Sequence, residues 1–333
     1  MKTILEYLFA GNILSREEAK NHLVDIAQER HPLNQVASFV TVYRMRPITI
    51  PELQGFRDAL LSLRVPVDLE GRDTIDIVGT GGDGKNTFNI STTTAFVIAG
   101  AGYPVTKHGS YGVSSHCGSS NVLMELGIEF SNDQETLLRQ LDTAGICFFH
   151  APLFHPAMKA VVPLRKELKV KTFFNMLGPL TNPAQPKYQL FGTYSKQLAK
   201  LYDAMLKAED KNYTVVYAVD GYDEVSLTGD SLIFQPTGKR ILSPESFGAQ
   251  TVDPQSLHGG ENVAEAKTIL LGVLQGSCSP EQKAVVLANA ALAIQTWHPE
   301  KSLTDCLGEA RESLDSGKAF AALQAIIEST VQS

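Results

Sequence analysis

The densest run of chemically useful residues is Gly79-Thr80-Gly81-Gly82-Asp83-Gly84-Lys85-Asn86-Thr87-Phe88-Asn89-Ile90-Ser91-Thr92. Ile75-Asp76-Ile77-Val78 before it reads as a short buried strand, and residues 91–101 after it read as a helix. Glycines at a strand end let main-chain N–H groups approach a ligand closely. A helix start aims free N–H groups and hydroxyls at the same point. Such a turn is a phosphate cradle. It is not a Walker loop, because no Gly-Lys-Ser/Thr follows at the required offset, and it lacks the ribose-binding acid of a dinucleotide site. A plain tight turn would not need Asp83, Asn89, Ser91 and Thr92 so close together.

A second cluster follows the apolar Val105-Thr106 pair: Lys107-His108-Gly109-Ser110-Tyr111-Gly112-Val113-Ser114-Ser115-His116-Cys117-Gly118-Ser119-Ser120. One cation, three glycines and five serine hydroxyls suit a diphosphate or a sugar phosphate. Alone it would read as a flexible serine–glycine loop; beside another glycine-rich strand end it reads as the second half of one site. Asp223-Glu224 follows a strand pattern and a glycine turn. Two adjacent carboxylates there are either hard oxygen ligands for Mg2+, completed by substrate phosphate, or a solvated acidic turn. Arg165 offers a fork of donors for a carboxylate, or is an ordinary surface arginine. His108, His116 and His155 lack zinc spacing.

These loops need a parallel sheet to carry them. Strand patterns at residues 75–78, 105–107, 147–149, 189–193 and 213–219 alternate with helical stretches, which predicts an α/β fold with a mainly parallel central sheet flanked by helices. Residues 229–243 read as a hairpin, and Ser279-Pro280-Glu281-Gln282 opens a helical C-terminal part. The first 66 residues differ. They show four short amphipathic helices, with Ile4, Leu5, Leu8 and Phe9 on one face, a Ser15/Glu18 capping box, and stripes of Val36, Phe39, Val40, Tyr43 and of Leu53, Phe56, Leu60, Leu63. The expected division is a helical domain at 1–66, joined by a helical segment near 160–185, and an α/β domain at 67–333. The apolar stripes exceed what a small bundle hides, which predicts a self-contact with Leu5 and Leu8 as candidates.

Composition bounds the function. The 333 residues carry 29 basic against 36 acidic side chains, a net charge of −7. No basic run is present, which argues against nucleic acid as the partner. The longest weakly polar run, residues 95–105, is about half a membrane span. The four cysteines form no C-x-x-C pair, and the opening residues carry Glu6 and no cleavage site. A cytoplasmic protein with reduced thiols and no membrane contact is expected.

Taken in order, Gly79-Thr80-Gly81-Gly82-Asp83, Lys107-His108-Gly109, Phe154-His155-Pro156-Ala157-Met158 through Arg165-Lys166-Glu167-Leu168, residues 175–183, Asp223-Glu224 and Leu314-Asp315-Ser316-Gly317 resemble the anthranilate phosphoribosyltransferases over essentially the whole chain. The resemblance implies transfer of the phosphoribosyl group of phosphoribosyl pyrophosphate (PRPP) to the amine of anthranilate in tryptophan biosynthesis, by a Mg2+-dependent homodimer. It implies that Gly79, Gly82, Asp83, Thr87, Asn89, Ile90, Ser91 and Thr92 bind PRPP, together with Lys107, His108, Gly109, Ser110, Tyr111, Gly112, Val113, Ser114, Ser115 and Ser119. Ser91, Asp223 and Glu224 would hold Mg2+, and Gly79, Ser110 and Arg165 would contact anthranilate. No strong general base is implied. The family's asparagine after Lys-His-Gly is here Ser110, and Tyr111, His116 and Cys117 also replace commoner residues. The alternatives are a related transferase with another aromatic acceptor and a pyrimidine nucleoside phosphorylase-like enzyme, which usually carries a Lys-x-Ser-Gly loop instead of Lys107-His108-Gly109.

Overall fold

All four helices predicted at the start of the chain form, two of them behind capping boxes. The computed structural model describes residues 1–112 and 117–331. Helix α1 spans Lys2–Phe9, α2 Arg16–Ala27, α3 Leu33–Met45 and α4 Ile50–Ser62. The Ser15/Glu18 capping box is present at α2, and a second box, Thr49 with Glu52, opens α4 with Pro51 in the first turn. Glu52 does more than cap. It is fully buried, and its carboxylate accepts from both terminal nitrogens of Arg46 and from the Leu14 N–H. Burial pushes this carboxyl up, but those donors and Thr49 outweigh it and hold it below the usual carboxylate range.

The chain divides into two compact units. The first joins Met1–Pro66 to Ala151–Pro183. Its centre is aromatic: Phe56 stacks on Phe173 at 4.4 Å, with Phe39 and Tyr43 edge-on around the pair. Phe173 comes from the later segment, so the bundle is completed by chain contributed about a hundred residues further on. Leu5 and Leu8 correct an expectation, because both are buried within the unit. The other face of α1 and the ends of α3 are exposed instead, with Phe9 65% and Met45 83% accessible, and Tyr7, Ile13 and Leu33 also open.

The second unit, Val67–His150 with the chain from Ala184 onward, holds a seven-stranded sheet. Its strands are β1 Ile75–Gly79, β2 Val105–Gly109, β3 Ile146–His150, β4 Tyr188–Gly192, β5 Asn212–Ala218, β6 Ser231–Gln235 and β7 Gly238–Leu242, in the order β3-β2-β1-β4-β5-β6-β7. The first five strands pair in parallel, and β6 and β7 add the antiparallel hairpin. Strand order reverses between β1 and β4, so the carboxyl ends of these two strands flank the crevice where open α/β sheets bind ligands. Helix α5, Ile90–Gly100, is buried from Thr92 to Ala99, and the helix Pro280–Trp297 packs on it with Val285 to Thr296 buried. Both are buried along most of their length, as core helices are. Helices α6, Ser119–Glu125, and α7, Gln134–Ala144, carry the chain from β2 to β3.

Candidate active site

The site is built where β1, β2, β4 and β5 end. Gly79 closes β1 and stands in register with Gly192 of β4. A methyl group on Gly79 would overlap the Asp223 carboxylate, and one on Gly192 would overlap the Asp223 carbonyl. Two side-chain-free strand ends therefore admit the acidic turn that follows β5. Asp223 is only 9% exposed and accepts the Gly81 N–H at 2.6 Å. Gly81, Gly82 and Gly84 all have positive φ, the left-handed backbone that side-chain-bearing residues resist. Glu224 accepts the Ser91 N–H from the first turn of α5 at 3.0 Å.

Lys107 is not the exposed cation a loop position suggests. It is 2% exposed and donates to the Ile77 carbonyl at 2.6 Å and to Ser91 Oγ at 3.3 Å. Burial lowers its pKa, and the charges of Asp76 and Glu224 act against that. The buried Asp76 accepts the His108 N–H at 3.2 Å, which fixes the strand end that presents the second loop. Asn89 reaches across to that loop and donates to the Cys117 carbonyl at 3.2 Å. Ser110 accepts at its carbonyl from the Ser120 N–H and from Ser119 Oγ. Thus the first loop, the second loop and the acidic turn form one connected site in the α/β unit.

The sequence-derived residues fall as follows. Gly79, Gly82, Asp83, Asn89, Ser91, Lys107, His108, Gly109, Ser110, Ser119, Asp223 and Glu224 belong to this site or to its supporting strand ends. Thr87 forms an isolated bridge with His258, and Ile90 and Thr92 are buried in the first turn of α5. Tyr111 is 44% exposed and Gly112 donates its N–H to Asn121 Oδ1. Val113, Ser114, Ser115 and His116 lie outside the described residues. Arg165 belongs to the helical unit, on the short helix Val162–Leu168, with its guanidinium carbon 5.9 Å from the Phe174 ring centroid.

Three contributors carry no local sequence signal. Gly192 looks like any strand glycine until its partner is known. Asn121 Oδ1 accepts from both Gly112 and Gly118, pinning the two limbs of the second loop. The segment around His258 ties down the first loop: Phe88 N–H donates to the Leu257 carbonyl at 2.9 Å, and Asn86 meets His258 Nε2 at 3.2 Å.

The electrostatics call for a cation. Asp223 is pushed up to about 7 by burial and by the neighbouring Asp83, with which it shares a hydrogen bond. Burial and the charges of Asp223 and Asp83 likewise raise Glu224 well above the usual carboxylate range. Carboxyls in this state are short of positive charge. Among the described residues, no group of three or more His, Cys, Asp or Glu side chains is arranged to hold an ion unaided. Two carboxylates and a serine hydroxyl completed by ligand phosphate are the hard-oxygen set Mg2+ accepts, so the residues present fit it.

The fold and the site define a glycosyltransferase of the two-domain kind. Residues 2–63 match the model "Glycosyl transferase family, helical bundle domain", and residues 71–320 match "Glycosyl transferase family, a/b domain". The chain is 50% identical over 320 residues to an anthranilate phosphoribosyltransferase of Cytophaga hutchinsonii, covering 96% of this chain and 98% of that one. Among solved structures, anthranilate phosphoribosyltransferase of Thermus thermophilus superposes with a TM-score of 0.92 at 30% identity, covering 98% of this chain and 99% of that one. The Saccharomyces cerevisiae enzyme, solved in complex with PRPP and Mg, gives 0.92 at 28% identity over 99% and 97%. The chain belongs to the anthranilate phosphoribosyltransferase family.

Proposed function

We propose that this enzyme transfers the phosphoribosyl group of PRPP to the amine of anthranilate, giving N-(5-phosphoribosyl)anthranilate and pyrophosphate, as a step of tryptophan biosynthesis. The observation that carries the reading is the meeting of two glycine-rich loops and an acidic turn at the switch point of the sheet, in a chain half-identical to enzymes of that name. In this reading the glycine turn beyond Gly81 and the positive end of α5 take the phosphates of PRPP, and Lys107 adds positive charge beside them. Asp223, Glu224 and Ser91 would hold Mg2+, which would supply neutralisation of the departing pyrophosphate. Anthranilate is held through Arg165 and Ser110, its carboxylate on the guanidinium fork. The aromatic amine is already a nucleophile, so positioning and charge neutralisation carry the rate, and no side chain is assigned as a strong general base.

The helical unit is assigned the contact of a homodimer, on the strength of the exposed Phe9, Ile13, Leu33 and Met45. The enzyme is placed in the cytoplasm. All four cysteines are free thiols, and no described helix is long and apolar enough to cross a membrane. The deciding experiment follows the fluorescence of anthranilate as it is consumed with PRPP, with and without Mg2+. Mg2+-dependent consumption with release of one pyrophosphate per anthranilate supports the reading. No consumption by folded protein at saturating PRPP overturns it.

A further inference from the structure

His150 ends β3 as the register partner of Gly109 at the end of β2, and no step of the proposed reaction uses it. Its side chain is 6% exposed and makes contacts with three separate pieces of chain. Nδ1 is hydrogen-bonded to Ser120 Oγ at 2.8 Å, and Ser120 is itself buried at the start of α6. Phe130 stacks flat against the imidazole, with centroids 4.7 Å apart and planes 11° apart. Tyr111 meets it edge-on at 4.8 Å and 79°.

These contacts span the second loop. Tyr111 lies on the outgoing limb, directly after Ser110, and Ser120 lies on the returning limb, directly after Ser119. The two limbs also bond to each other at the Ser110 carbonyl, which accepts from Ser120 N–H at 3.2 Å and from Ser119 Oγ at 3.4 Å. Clearance there is tight, since a methyl group on Gly109 would overlap Ser119 Oγ. A single buried ring therefore touches the residue next to each of two candidate substrate contacts.

We infer that His150 is a positioning residue for substrate binding, holding Ser110 and Ser119 in register through its contacts with Tyr111 and Ser120. The inference rests on the reading of this loop as part of the PRPP site. An imidazole suits the task better than a hydrocarbon ring. It offers the flat face that Phe130 and Tyr111 pack on and a ring nitrogen for the Ser120 hydroxyl, which would otherwise be buried without a partner. Burial lowers its pKa from the ordinary histidine value, which keeps the ring neutral near pH 7. The contacts of His150 are with Ser120, Phe130 and Tyr111, so its effect falls on how the loop is held.

The test compares the wild-type enzyme with Ser120→Ala, His150→Phe, His150→Asn and the Ser120→Ala/His150→Phe double variant. Anthranilate fluorescence is followed with PRPP and anthranilate varied in turn. Ser120→Ala and His150→Phe should each raise the KM for PRPP about tenfold through Ser119, and that for anthranilate through Ser110, with the double variant no worse than either single one because both remove the same bond. His150→Asn, which restores a polar atom near the Nδ1 position, should recover most of the loss. An unchanged KM in Ser120→Ala and His150→Phe, even with a lowered melting temperature, would show a merely structural role and overturn the inference. Should His150→Phe fail to fold, Ser120→Ala decides alone. Wild-type protein that consumes no anthranilate would instead sink the functional reading. Calorimetric binding of PRPP to the same variants then still shows whether His150 sets the loop.

Discussion

Gly79 and Gly192 face each other across two parallel strands, and each is bare because Asp223 occupies the space a side chain would need. The two overlaps differ in kind. Alanine at 79 would meet the far end of the Asp223 side chain, whereas alanine at 192 would meet its main-chain carbonyl. A side chain yields by rotating, but a main-chain carbonyl yields only if the turn moves. Gly192→Ala should therefore cost more stability, about 1–3 kcal/mol for an overpacked site, and should lower activity by displacing both acidic residues. Gly79→Ala should leave the melting temperature closer to wild type and act chiefly on Mg2+ dependence. Thermal melts and Mg2+ titrations of the two variants check this. Equal melting temperatures would argue against it.

This pair also shows where sequence reading stops. Gly79 was legible because it begins a run of glycines at a strand end. Gly192 was not, because its meaning comes from a strand pairing with a partner more than a hundred residues away and from Asp223 beyond both. Asn121 and His258 share that character: each is an ordinary polar residue until the fold brings a loop to it. The strands, the glycine turn that ends β1 and the capping box at Ser15 were legible because each depends on residues within one turn of one another. Leu5 and Leu8 failed as surface candidates because an amphipathic stripe does not say which neighbour covers it, and here the bundle itself does.

The acidic turn should make the metal-free enzyme sensitive to pH. Asp223 binds its proton more tightly in the folded chain than in the unfolded one, with a folded value of about 7. Between the ordinary carboxylate range and that value the folded state holds more protons, so stability falls as pH rises. In EDTA, the melting temperature should be higher at pH 6 than at pH 8 for this group's share, and Asp223→Asn should flatten the difference. Added Mg2+ should raise the melting temperature most at pH 8, where the carboxylates are free to take it. A metal-free enzyme with the same pH slope as Asp223→Asn would contradict the assignment.

The same two residues should separate folding from turnover. Asp223→Asn and Glu224→Gln each remove a charge from a crowded acidic site. Folded structure by circular dichroism should be retained and metal-free stability held or increased, while turnover at low Mg2+ collapses. Unchanged turnover at low Mg2+ in the double variant would sink the metal assignment.

Acceptor binding is assigned to Arg165 and Ser110. A guanidinium fork makes two parallel bonds to a carboxylate, so Arg165→Ala should raise the KM for anthranilate by about 10 to 150-fold, the worth of about 1.5–3 kcal/mol. The KM for PRPP should barely move. Ser110→Asn places the longer amide that the family carries at this position, and the KM for anthranilate should fall if the hydroxyl is the weaker contact. Steady-state kinetics with each substrate varied decide both points. A rise in the KM for PRPP with anthranilate spared would mean that the two sub-sites are exchanged.

A dimer through the helical unit must use the apolar residues that the bundle leaves open. Phe9 and Met45 are 65% and 83% exposed, while Leu8, on the face of α1 that the bundle covers, is 2% exposed. A large apolar side chain left in water is a cost that a self-complementary contact removes, and a two-fold contact uses each residue twice. Charge at an open position should therefore break the dimer without harming the fold, whereas charge at a buried one should harm the fold first. Met45→Glu and Phe9→Glu should sediment as monomers with melting curves still cooperative, and Leu8→Glu should lose stability whatever its state of association. Because the α/β unit carries the proposed PRPP loops, the Met45→Glu monomer should keep its KM for PRPP within about twofold. A wild-type chain that sediments as a monomer at high concentration would remove the dimer. Wild-type association that survives both open-site substitutions would move the contact elsewhere on the surface.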